Sequence, residues 1–129
     1  MLVAARAVGG RLASCAPMDR STAWRAALLQ ALLVAAVALV LAAALSRGFF
    51  ERWGWLAGPA TWGLCALVVA TVLRLPARAA LVGAAVAGVP SLVAVLLGAH
   101  WAGAPLAIAL FALWCGRLAA RRANVPAVA

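Results

Sequence analysis

The sequence predicts an all-α membrane protein, an up-down bundle of four transmembrane helices with both termini in the cytoplasm. Three observations lead there. Hydrophobic residues make up 69% of the chain and charged residues only 10%, with a mean hydropathy of +1.13. A soluble chain of 129 residues would need far more polar surface than this, so lipid is the fitting solvent. The apolar residues gather into four runs, and the eleven basic residues, all arginines, stand at the edges of those runs.

Residues 1–25 form a basic segment in which Arg6, Arg11, Arg20 and Arg25 outweigh Asp19. Leu12 to Cys15 spells a lipobox, but Arg6 and Arg11 interrupt the apolar stretch of about 7–15 residues that a signal peptide requires. Met18 is an alternative start, which would leave residues 1–17 as a disordered tail or a mis-assigned beginning. Ser21 or Thr22 is the expected N-cap of the first helix.

The first span covers 26–45 and holds one polar residue, Gln30. At 1.5 Å per residue it reaches about 30 Å, the thickness of the hydrocarbon core. Gln30, little more than a turn from Arg25, is expected to be hydrated at the interface. Residues 46–54 mix Arg47, Phe49, Phe50, Glu51, Arg52 and Trp53, which suits a loop lying at the membrane surface.

The second span covers 55–73, with Pro59 in its first turns, where the missing N–H costs little. A turn through Pro76 leads to the third span, 79–98, which Gly88, Pro90 and Ser91 interrupt near its middle. Broken helices at the midplane are where transporters bind substrate, so these three residues form a candidate broken-helix site. A turn with His100 and Trp101 leads into the fourth span, 101–117, only about 25 Å long and dependent on Arg117 snorkelling. Residues 118–129 are a cytoplasmic tail. Trp55 to Pro59 faintly echoes Trp101 to Pro105, a way of opening a span rather than a duplication.

Orientation follows from the arginines. Nine lie in the two terminal segments and the 74–78 turn, against two, Arg47 and Arg52, in the other connections. The positive-inside rule places both ends in the cytoplasm of a bacterial inner membrane. Trp53, Trp55 and Trp101 then anchor the outer interface, and Arg74, Arg78 and Arg117 the inner one.

Helices in lipid associate by close packing rather than by hydrophobic exclusion, which favours small residues at their contacts. Gly54, Gly58, Thr61, Cys65, Val68 and Val72 make such a stripe on the second span, while Trp55, Trp62 and Val69 lie on a different one, facing lipid or a neighbouring helix. Ala84 and Gly88 repeat the small-residue spacing on the third span.

Reactive chemistry is sparse. Asp19 and Glu51 are the only carboxylates, and both lie outside the apolar runs, so a proton relay or paired-carboxylate mechanism has no residues. His100 is the sole histidine, too few ligands for a metal, and reads as a turn residue. Cys15, Cys65 and Cys115 form no disulfide framework and read as small apolar residues.

The stretch Gly98 to Gly103 resembles a histidine motif of rhomboid proteases, but Ser91 lacks elbow glycines and lies about 13 Å along its helix from His100. In length and span number the chain is similar to the small multidrug transporters. Those depend on a carboxylate in the first span, where this sequence has Gln30. The expectation is therefore a non-enzymatic accessory or assembly protein without cofactor, metal or nucleic acid. Its partners would be the bilayer and a larger membrane complex or further copies of itself. The alternative is a small oligomeric transporter or channel with its path near the third helix.

Overall fold

The computed structural model describes residues 18–124, which are all-helical: α1 (Arg20–Ala44), α2 (Arg47–Val72), α3 (Ala77–Leu96) and α4 (His100–Ala123). Each is long and apolar enough to cross a membrane. Consecutive helices pack side by side, and α1 packs on α4 to close the ring. The α1–α2 and α3–α4 connections lie at one end of the bundle, here the hairpin end. The start of α1, the α2–α3 turn and the end of α4 lie at the other, the basic end. The readings made on residues 1–17 and 125–129 fall outside the described residues.

Asp19, not Ser21 or Thr22, caps α1. Its carboxylate accepts the Ser21 backbone N–H at 3.0 Å and the Ser21 hydroxyl at 2.9 Å, and it also takes the Thr22 amide and hydroxyl. Aspartate at the cap with two hydroxyl residues in the first turn satisfies donors that no helical carbonyl can reach. These hydrogen bonds, the Thr22 hydroxyl foremost, hold the Asp19 pKa below its ordinary value.

Two expected loops are shorter than the sequence suggested. Only Leu45 and Ser46, both extended, separate α1 from α2, so the segment expected as an interfacial loop is the first part of a helix. Pro59 therefore sits well inside α2 and not in its opening turns. The last helix is not short either. It runs 24 residues, about 36 Å, through Arg117 to Ala123. Arginine is a good helix former, and the run Leu118–Ala120 carries the helix past it.

Helix α3 also runs unbroken through Pro90. Proline costs that helix the donor to the Val86 carbonyl but fits the helical φ, and intact turns on both sides carry the chain across.

Two turns reverse the chain through the same motif. After α2, Arg74 N–H donates to Thr71 and Leu75 N–H to Ala70, with Arg74 at φ +53°. After α3, Ala99 N–H donates to Ala94, with Gly98 at φ +78°. Both are Schellman closures, which need one left-handed residue. Glycine meets that need freely in the second, whereas an arginine is held there in the first.

Burial on α1, α2 and α3 is concentrated toward the basic end, while on α4 it runs along most of the helix. On α1 it ends at Gln30 and on α2 it begins at Cys65; no residue of 31–64 is buried. On α3 it ends at Ala87, and on α4 it resumes at Gly103 and Ala107. The core of Ala26, Ala66, Val69, Ala80, Phe111 and Cys115 thus fills the basic half. Leu39, Leu96 and Leu97, each more than 70% exposed, lie in the hairpin half.

Candidate interaction surfaces

Two tryptophans lock the basic half. Trp62 of α2 donates its indole N–H to the Ala84 carbonyl of α3 at 2.9 Å, and Trp114 of α4 donates to Ala79 of α3 at 2.9 Å. Gly83 makes room for the second contact, since a Cβ there would lie 2.2 Å from Trp114 Cδ1. Trp62 also reaches across the bundle to Phe111, edge to face at 6.0 Å between ring centres. Opposite these, α1 and α4 come together where the Asp19 N–H meets the Gly116 carbonyl at 3.3 Å. A Cβ on Gly116 would lie 3.0 Å from the Ala23 Cβ.

Gln30 is fully buried, and among the described residues neither its Nε2 nor its Oε1 has a hydrogen-bond partner. The expected hydrated interface residue is instead an interior one. The stripe Ala23, Ala26 and Gln30, spaced at 3 and 4, is the face of α1 turned to its neighbours, and proximity to Arg25 along the chain does not decide which way that face points.

Above this core a groove of about 420 Å³ opens between α1 and α2. Val34, Ala38 and Leu41 line one wall, Gly54, Gly58 and Thr61 the other, with Trp62 at one end. A Cβ added at Gly54 or Gly58 would meet nothing within 4 Å.

The small-residue stripe predicted for α2 therefore divides. Cys65 is buried and Gly54, Gly58 and Thr61 line the groove, but Val68 and Val72 are exposed. Trp62 and Val69, assigned from sequence to a separate stripe, belong to the packed face, with Val69 wholly buried. Along the contact with α3, Ala66, Val69 and Ala70 of α2 are buried, while Trp55 of the second stripe stays exposed.

On α3, Ala84 is buried, whereas Gly88 has an open flank, and Gly88, Pro90 and Ser91 are half-buried. Trp53, Trp55 and Trp101 stand exposed at the hairpin end, and Arg74, Arg78 and Arg117 exposed at the basic end. His100 opens α4 rather than lying in a loop. The Gly83–Trp114 and Asp19–Gly116 contacts were not foreseen; the signal available was a Trp or Gly on each of two helices of opposite direction.

Among the described residues, no group of three His, Cys, Asp or Glu side chains comes together as a metal site. Cys65 and Cys115 are free and buried.

These features define a class, an all-helical chain with four helices able to cross a membrane, packed at one end and open at the other. No protein-family model matches the chain, and neither a curated protein nor a solved structure does.

Proposed function

We propose that this chain is a multi-pass protein of a bacterial inner membrane, with both termini cytoplasmic, that acts as a non-enzymatic accessory or assembly protein. It works by docking a transmembrane helix of a partner against the Gly54–Gly58–Thr61 face of α2. The observation that carries this reading is the open space at Gly54 and Gly58. Glycine inside a helix costs about 1 kcal/mol relative to alanine, and nothing within the fold requires it at either position. Close approach of another helix backbone would make use of it. The arginine asymmetry supports the orientation.

Purification of the tagged chain in mild detergent tests the reading. Co-purification of a larger membrane protein, lost in Gly58→Leu, is the expected result, and a strict monomer with no partner would sink it. A phosphatase fused after Ala129 and active outside the cytoplasm would overturn the orientation.

A second reading is a small oligomeric transporter or channel with its path beside Gly88, Pro90 and Ser91. The sparsely buried hairpin half favours it, because one chain alone leaves that half with little core. Measured flux that survived Pro90→Ala unchanged would remove it.

A further inference from the structure

We propose that the α2–α3 turn and the last turn of α4 together bind the headgroup of an anionic phospholipid. The inference rests on the bilayer reading and not on the helix-docking one. Arg122 donates through Nη1 to the Arg74 backbone carbonyl, so the end of α4 is tied across the turn that opens α3. That contact puts the turn carrying Arg74 and Arg78 beside the helix end carrying Arg121 and Arg122, all four exposed.

Among the described residues, neither carboxylate forms an ion pair with these arginines. Asp19 is occupied by Ser21 and Thr22, and Glu51 lies in α2 toward the hairpin end. A guanidinium carries five N–H donors, and Arg122 commits one nitrogen to the turn. The remainder of its fork and the free guanidiniums beside it match the paired oxygens of a phosphodiester.

Arg74 adds an independent observation. It occupies the left-handed position of the Schellman turn, where a Cβ is strained and glycine is not. The equivalent turn after α3 does use glycine. A role for its charge would account for an arginine at this strained position of the basic end.

The phosphate could come from a lipid or from solution, and the site is assigned to lipid. It stands at the end of four membrane-length helices, at the depth where headgroups lie.

The full chain in zwitterionic detergent, with phosphatidylglycerol, phosphatidylcholine or inorganic phosphate added, provides the test. Thermal unfolding and native mass spectrometry read the binding. Phosphatidylglycerol is expected to raise the unfolding midpoint and remain bound, while phosphatidylcholine and phosphate do neither. Arg78→Gln with Arg121→Gln should weaken that binding roughly thirtyfold, from about 1 kcal/mol for each arginine removed. Arg47→Gln with Arg52→Gln, at the opposite end, should leave it intact.

Equal binding of both lipids, equal loss in the two double variants, or unchanged binding in the first would overturn the proposal. So would a midpoint shift reproduced by phosphate alone, which would make the site one for soluble anions. Native mass spectrometry keeps the test open if a variant loses stability, because retention of lipid is read on the folded fraction.

Discussion

The Trp114 ring occupies the space a side chain at Gly83 would need, its indole N–H donating to the Ala79 carbonyl one turn earlier on α3. Glycine is what lets the ring approach. Gly83→Ala would place a methyl 2.2 Å from the ring and force α3 and α4 apart. The expected loss is about 1–3 kcal/mol, the cost of overpacking a close contact. Thermal unfolding in detergent measures it, and an unchanged midpoint would show that the ring can move aside freely.

Gly54→Ala and Gly58→Ala should behave oppositely. Their added methyl groups meet open space and replace a poor helix former, so the isolated chain should be unchanged or stabilised by up to about 1 kcal/mol. Destabilisation of the isolated chain comparable to that of Gly83→Ala would mean that the groove closes in the membrane.

Among the described residues, Gln30 is a buried amide without a partner, which costs about 1–3 kcal/mol relative to an apolar group of similar shape. Gln30→Leu should therefore raise stability by that order. A fall in the unfolding midpoint would indicate that the amide is hydrogen-bonded in the functional state, and would redirect attention to the space around it.

Asp19 should make stability acid-sensitive. Its pKa is lowered in the folded state, so the stabilisation it brings is present above the ordinary aspartate range and is lost as pH falls through the lowered value. Unfolding midpoints followed from neutral pH to below about pH 4 should drop. Asp19→Asn should flatten the part of that drop due to the cap.

What was legible in the sequence follows from which forces act locally. Apolar run length and arginine spacing report directly on helix number, and all four helices appear where those runs lie. Helix ends were less visible, because Phe49 to Trp53 reads as interfacial by composition while its backbone simply continues α2. The facing of side chains was least visible. Gln30 and Val69 turn inward, and Val68 and Val72 outward, because of which helix lies opposite them, and spacing along one helix carries no record of its neighbour. The groove was not legible, since Gly54, Gly58 and Thr61 were expected as a packing stripe and Val34, Ala38 and Leu41 across from them were not singled out.

Because burial stops at Gln30, Cys65 and Ala87, α1, α2 and α3 behave as cantilevers clamped near the arginines, with α4 buried along most of its length. Local opening starts where apolar contacts are fewest, so backbone amides of the distal arms should exchange with solvent deuterium sooner than those at the clamp. Bilayer thickness acts on the same arms. At 25 residues, α1 reaches about 37 Å against a hydrocarbon core of about 30 Å, a mismatch relieved by tilting. In thinner membranes the arms lean further while the clamp holds its register, so membrane thickness becomes a control on how widely the groove between α1 and α2 stands open.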